Sequence, residues 1–202
     1  MDKREIRKDL IDKRDAIKSD DWIEYSNKIQ RNIIRSSLYR SAECILIYSD
    51  FHGEVGTFSL IEAALLDNKK VYLPKVCENF LEARMEFYRI YSTQELIDGF
   101  MGIKEPIGSL DRVFSLDEIN LKKTVVFVPG VAFSKDNYRL GYGKGYYDNY
   151  LKDKEEMLKI GLCFSMQIKD TIPNEEHDIK MNYVITEKTN VSEINKIDSL
   201  RI

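Results

Sequence analysis

Apolar residues recur at helical spacing from the start of the chain. Ile6, Leu10 and Ile17 share one side of a segment running from residue 2 to about 18, which predicts an amphipathic helix. Residues 21–38 repeat the pattern with Trp22, Tyr25, Ile29 and Ile33, and Ser19-Asp20-Asp21 supplies capping residues between the two. The period then changes. Cys44-Ile45-Leu46-Ile47-Tyr48 is a short continuous apolar run of strand type. Thr57 caps a helix that reaches Leu66, and Val71-Tyr72-Leu73 is a strand stopped by Pro74. Met85 to Tyr91 alternates like a strand, with Met85 and Phe87 on one face. Leu96 to Gly108 reads as a long loop, and Ser115 to Leu121 as a short helix. Thr124 to Val128 is a buried-type strand, Gly145 to Leu158 a helix, Lys159 to Phe164 a strand and Tyr183 to Thr186 the last strand. Continuous apolar runs separated by helices imply an α/β fold with a mostly parallel sheet covered on both faces. No repeat or linker divides the chain, so residues 1–202 read as a single domain with the N-terminal helices packed on its core.

Composition narrows the function classes. Hydrophobic residues make up 43% of 202 positions and charged residues 32%, which describes a folded chain with a heavily charged surface. The net charge of −3 argues against a non-specific nucleic-acid binder. Three cysteines without CxxC spacing suit a reducing compartment and neither a disulfide framework nor a zinc ribbon. No run of about 18 apolar residues exists to span a membrane. The charged segment MDKREIRKDLIDKRD lacks a signal-peptide core, so the expectation is a cytoplasmic protein.

Chemistry concentrates in Pro129-Gly130-Val131-Ala132-Phe133 and the stretch Arg139-Leu140-Gly141-Tyr142-Gly143-Lys144-Gly145-Tyr146-Tyr147-Asp148. Glycines at 141, 143 and 145 permit close backbone approach, and successive N–H groups before a helix make an anion site. Arg139 and Lys144 add charge, so a phosphate is the natural ligand. The same glycines would equally serve a plain turn. The spacing is neither GxxxxGK[ST] nor GxGxxG. Asp148 is either a helix-dipole carboxylate or a Mg²⁺ ligand beside a phosphate. Tyr146 and Tyr147 either stack on a flat ligand or pack.

The segment GVAF-x5-RLGYGKGYYD strongly resembles the signature of the 5-formyltetrahydrofolate cyclo-ligase family. Lys3, Ile6, Arg7 and Arg14 are similar to that family's N-terminal basic helix. Tyr48 through Glu54-Val55-Gly56-Thr57 is similar to its substrate loop. Gly102-Ile103-Lys104-Glu105-Pro106 and Gln167 through His177-Asp178 follow in the expected order. Gly56 and Asn182 stand where the family often has acidic residues.

The resemblance implies an α/β/α three-layer fold related to the ribose-phosphate isomerase and CoA-transferase group. It implies ATP-dependent cyclisation of 5-formyltetrahydrofolate to 5,10-methenyltetrahydrofolate, with Mg²⁺. It further implies that ATP is held by Lys3, Arg7, Arg14, Arg139, Gly141, Gly143, Lys144, Gly145, Tyr146 and Tyr147, with Lys144 and Arg139 as the catalytic cations. Glu54, Ser49, Tyr146 and Tyr147 would address the folate, and Asp148 and Asp178 the metal. A monomer acting on small molecules is expected, with no nucleic acid and no membrane. A sugar-phosphate isomerase would need the phosphate loop but no Mg-ATP, and a non-catalytic sensor would bind without turnover. Helix geometry adds one check: at about 100° per residue, Lys3, Arg7 and Arg14 fall within about 40° of one another, directly beside the apolar stripe. Docking that stripe carries the cations to the edge of the contact.

Overall fold

The computed structural model describes residues 2–77, 84–116 and 119–198. The helices are α1 Lys3–Asp15, α2 Ser19–Ile34, α3 Ser37–Ser41, α4 Phe58–Leu66, α5 Tyr146–Leu151 and α6 Val191–Asp198. The strands are β1 Cys44–Leu46, β2 Lys70–Val76, β3 Met85–Ile90, β4 Leu96–Asp98, β5 Lys104–Pro106, β6 Thr124–Pro129, β7 Ala132–Ser134, β8 Arg139–Leu140, β9 Leu158–Leu162, β10 Ile168–Lys169 and β11 Tyr183–Ile185.

The main sheet has the order β11-β9-β6-β1-β2-β3, and every neighbouring pair is parallel except β2 with β3. Strand alternation divides its side chains. Ile45, Val71, Leu73, Val125, Phe127 and Ile160 pack on α2, α3, α4 and α6 through Ile29, Ile33, Leu38, Leu60 and Ile194. Cys44, Leu46, Tyr72, Val126 and Val128 face Phe114, Tyr150, Leu151 and Met157. Both faces are covered, as near-continuous apolar strands require. The layers are unequal, however: the second has α5 as its helix, and irregular segments do the rest. A smaller sheet, β10-β7-β8, carries α1, whose Ile6 and Leu10 pack on Val131, Ala132, Leu140 and Ile172.

Several elements differ from the sequence pattern. The helix expected over 21–38 is two, α2 and α3, separated by Ser36, whose hydroxyl accepts the Tyr39 N–H. Lys18, not a Ser or Asp, caps α2 and gives no side-chain bond. Thr57 stands at the start of α4, but its hydroxyl donates to the Tyr48 carbonyl at 2.7 Å instead of capping. The 96–108 loop contains the ribbon β4–β5. The helix expected from 145 to 158 ends at Leu151. A final helix, α6, follows the last strand and has no counterpart in the sequence reading. The helix expected over 115–121 lies partly outside the described residues, and Leu121–Lys123 forms a 3₁₀ turn.

Pro74 does not stop β2, which runs on to Val76 paired with β3. Its ring ends one pairing only. The Ile47 N–H donates to the Tyr72 carbonyl, so position 74, two residues on, faces β1 as well. With no N–H there, the β1–β2 ladder stops at Leu46 and Tyr72 while β2–β3 continues. The two central strands part at their C-terminal ends, and Pro74 lines the space that opens.

Candidate functional site

That space is a cavity of about 830 Å³. It lies where open α/β sheets place ligands, at the carboxyl ends of parallel strands. Its size is near the upper end for small-molecule sites and suits two ligands. One wall is α1, one is the 48–54 loop, one is the Gly-rich loop, and the 175–178 turn closes an end. Pro74, Val76, Met85, Met101 and Ile103 supply an apolar side.

The apolar stripe of α1 docks on β7 and β8, the strands that flank the turn before the Gly-rich loop, and the basic stripe lands on the loop itself. Arg7 Nε donates to the Gly141 carbonyl at 2.8 Å. Arg14 Nη2 donates to the Tyr142 hydroxyl at 2.5 Å. Lys3 Nζ bonds Glu175 at 2.8 Å and Asp178 at 3.0 Å. Burial works against the Lys3 ammonium, but these two bonds outweigh it and raise its pKa. Asp178 is likewise held below the usual carboxylate range: burial opposes this, and the Glu175 N–H and Lys3 prevail. An Asp2–Glu5 capping box starts α1 and fixes where Lys3 sits.

The loop needs its glycines. Gly143 has φ +94, and a Cβ there would come within 3.3 Å of the Arg7 guanidinium. Gly145, at φ +70, begins α5 with no side-chain cap. Because α5 has only 6 residues, the loop N–H groups and the surrounding cations carry the anion-binding character more than a helix end does. Lys144 is exposed and makes no ion pair among the described residues. Arg139 is buried and bonds Asp148 Oδ2 at 2.7 Å, while Asp148 Oδ1 accepts the Ile179 N–H at 3.2 Å. Tyr146 and Tyr147 both line the cavity and both pack on the core behind it, and the Arg139 guanidinium lies 5.5 Å from the Tyr147 ring centre.

Glu54 is buried. Its Oε2 accepts the Phe51 N–H at 3.2 Å. Burial pushes its pKa up to about 8, against the pull of Arg14, the Phe51 N–H and Arg139. Ser49 lies on the adjoining wall. Gly56 is one residue too deep for an acid, since a Cβ there would meet Trp22 at 3.1 Å and the Gly56 N–H already bonds Ser26. Asn182 is a backbone clip, its Oδ1 accepting the Lys159 N–H at 2.8 Å.

Every site residue expected from the sequence lines this one cavity: Lys3, Arg7, Arg14, Ser49, Glu54, Arg139, Gly141, Gly143, Lys144, Gly145, Tyr146, Tyr147, Asp148 and Asp178. Sequence reading gave no role to Tyr142, which carries Arg14, or to Met101, which lines the cavity at φ +56. It also gave no role to Gln167, whose amide N–H groups bond the Gly130 and Val131 carbonyls at 3.0 Å and hold the turn before the loop. Tyr142 lies inside the RLGYGKGYYD stretch and Gln167 heads the 167–178 match, but their roles are not legible there because each acts through a contact distant in sequence. His177 is exposed, with Nε2 4.0 Å from Asp178. Among the described residues no group of three or more His, Cys, Asp or Glu converges to hold a metal. No helix among them is long and apolar enough to cross a membrane.

A mostly parallel α/β fold carries a cation-lined glycine loop and an apolar pocket in one cavity at the carboxyl ends of its strands, the arrangement of a small-molecule site. Residues 1–187 match the model of the 5-formyltetrahydrofolate cyclo-ligase family, and the chain belongs to that family as an enzyme of folate chemistry. It is 33% identical over 144 residues to the 5-formyltetrahydrofolate cyclo-ligase of Haemophilus influenzae, covering 70% of this chain and 74% of that protein. It is 29% identical over 198 residues to the mouse enzyme of the same name, covering 94% and 96%. Among solved structures, 5,10-methenyltetrahydrofolate synthetase from Aquifex aeolicus superposes with a TM-score of 0.77 at 31% identity, over 95% of this chain and 93% of that one. The Mycoplasma pneumoniae synthetase gives 0.72 at 25% identity, over 93% and 100%.

Proposed function

We propose that this enzyme converts 5-formyltetrahydrofolate and ATP to 5,10-methenyltetrahydrofolate, ADP and phosphate. The observation that carries the proposal is that one cavity joins a cationic glycine loop to an apolar pocket floored by Glu54. Two ligands that must react with each other need such a shared chamber.

The formyl oxygen of an amide is a poor leaving group. Its attack on the γ-phosphorus breaks the bond to the ADP oxygen and makes a phosphorylated formyl group. The N10 lone pair then attacks the formyl carbon, N10 loses its proton, and the carbon–oxygen bond breaks with phosphate departing. The protein's task is positioning and charge stabilisation. Lys144, exposed on the loop and unpaired among the described residues, meets the transferring phosphoryl group. Arg139 and Arg7 hold the phosphates against the loop N–H groups, and Lys3 adds charge at the 175–178 end. Glu54, Tyr146, Tyr147 and Ser49 orient the folate.

The donor set suits a Mg²⁺ that arrives with phosphate. Asp178 Oδ1 stands 4.0 Å from the His177 imidazole, and among the described residues no group of three or more His, Cys, Asp or Glu forms a metal cage of its own. Mg²⁺ of this kind needs one or two carboxylates and takes its remaining oxygens from substrate and water. Asp178 and Asp148 would hold it, and when bound it neutralises charge on the phosphates.

A near-ultraviolet absorbance assay tests the reading, because ring closure creates a conjugated N–C–N cation with its own band. A band that grows only with 5-formyltetrahydrofolate, ATP and Mg²⁺ together supports it. A folded protein that binds ATP yet gives no band overturns it.

A further inference from the structure

The three cations of α1 serve different places. Lys3 reaches the 175–178 turn and Arg7 the Gly-rich loop, but Arg14 lies at the other end, against the loop that presents Glu54. A Cβ on Gly53 would stand 3.7 Å from Arg14 Cγ and 3.8 Å from Nε. Arg14 is 2% exposed, and Tyr142 satisfies its Nη2 alone. Nε and Nη1 are buried without a hydrogen-bond partner among the described residues. Arg14 is the strongest influence favouring the Glu54 carboxylate, yet the two form no direct ion pair among the described residues. The Tyr147 hydroxyl, on the same cavity, is buried and unpartnered too.

Arginine has no accessible neutral form, so it cannot escape this situation by losing a proton. A buried donor left unmet destabilises the folded chain. Such a cost is tolerated where a ligand supplies the missing acceptor. The reduced pterin ring of a folate presents a carbonyl oxygen, a ring N–H and an amino group in a row along one edge. A carboxylate accepts from the last two, and a guanidinium donates to the first. The adenine of ATP has no carbonyl to offer.

We infer that Arg14 is a specificity-determining residue of the folate end of the cavity, donating its unfilled N–H groups to the pterin carbonyl oxygen beside Glu54, with Tyr142 holding it in position. The resemblance to the family groups Arg14 with the ATP cations, and this inference moves it to the other substrate. It rests on the folate reading given above.

Isothermal titration of the full chain separates the possibilities. The probes are 5-formyltetrahydrofolate, its analogue with an amino group in place of the ring oxygen, and Mg-ATP. Wild type should prefer the oxo compound by about tenfold or more, since a site built to bond a group rejects the ligand lacking it. Arg14→Gln should reduce that preference severalfold, leaving the part Glu54 holds through the ring N–H that the amino analogue also lacks, and should leave the Kd for Mg-ATP within about twofold. Tyr142→Phe keeps the arginine and the ring, and it should reduce the preference severalfold; it carries the test if Arg14→Gln does not fold. Loss of Mg-ATP affinity in either variant, or undiminished oxo preference in both, overturns the inference. A wild type that binds Mg-ATP but neither folate fails the functional proposal itself.

Discussion

Lys3 and Asp178 close an ion pair of 3.0 Å, and the function proposed above would call on each of them elsewhere when Mg-ATP binds. In that proposal the ammonium would turn to phosphate and the carboxylate to Mg²⁺. Arg139 and Asp148 repeat the arrangement at 2.7 Å. These four groups neutralise one another as two cation–carboxylate pairs, beside Arg7, Arg14 and Lys144, which have no carboxylate partner among the described residues. ATP alone would satisfy the cations but leave its phosphates facing released carboxylates. Mg²⁺ alone would have to displace cations. Mg-ATP as a complex would exchange both pairs at once, so each partner would keep a counter-charge. Mg²⁺ should therefore tighten ATP binding at least about tenfold in wild type, a coupling of roughly 1.4 kcal/mol. In Asp178→Asn that gain should shrink to about threefold or less. Equal ATP affinity with and without Mg²⁺ in wild type would count against the exchange. Titration calorimetry reads it directly.

Asp148 also braces the fold. Through Arg139 it ties β8 to α5, and through the Ile179 N–H it ties both to the segment before β11. Both side chains are shielded, at 6% and 16% exposure. Asp148→Asn keeps the volume but removes the counter-charge of a buried guanidinium. Its cost to stability should be about 2–4 kcal/mol, measured by chemical denaturation. Mg²⁺-dependent activity should weaken as well. An unchanged Mg²⁺ titration in the folded variant removes Asp148 from the metal site and leaves it a brace.

Lys144 differs from Arg7 and Arg14, which also lack a carboxylate partner among the described residues, in being exposed and in making no bond to the loop. Its removal disturbs no packing, so a loss of rate reports chemistry. Lys144→Ala should lower turnover by at least about 10²-fold, the scale for losing one charge-stabilising group in a transition state. Its melting temperature should match that of wild type. Wild-type kinetics in this variant would refute the assignment.

The loop from Arg139 to Asp148 is legible because its chemistry is local: glycines, a lysine and a carboxylate in one stretch. The apolar runs of β1 and β6 are legible because a doubly covered strand excludes polar residues. The helix angle of Lys3, Arg7 and Arg14 rightly places a basic stripe at the edge of a buried one. What it could not supply is the partner of each cation, since Glu175, Gly141 and Tyr142 lie at least 128 positions away. Pro74 misleads for a related reason. A proline ends hydrogen bonding on one side of a strand, and only the neighbouring strands decide whether that ends the strand. The β4–β5 ribbon hides because each strand has 3 residues, too few for alternation to register. α6 hides because its two buried residues, Ile194 and Ile197, give less than a full apolar stripe.

Glu54 gives a stability signature independent of turnover. Its side chain is buried, and its pKa stands near 8 in the folded protein, against 4.5 for the ordinary glutamate, because desolvation disfavours the charged form. Between those values the folded protein holds a proton that the unfolded chain has lost. Folding stability from this group is therefore full below the unfolded pKa and falls as pH rises toward the folded one. Between about pH 5.5 and pH 7.5 the loss should be roughly 1–3 kcal/mol. Glu54→Gln has no proton to lose, so subtracting its denaturation profile from that of wild type isolates the contribution. The difference should slope downward with pH across this window and flatten above about pH 8. A flat difference would mean that Arg14 and Arg139 keep Glu54 ionised throughout. The carboxylate would then meet the folate already charged, with no proton to release on binding.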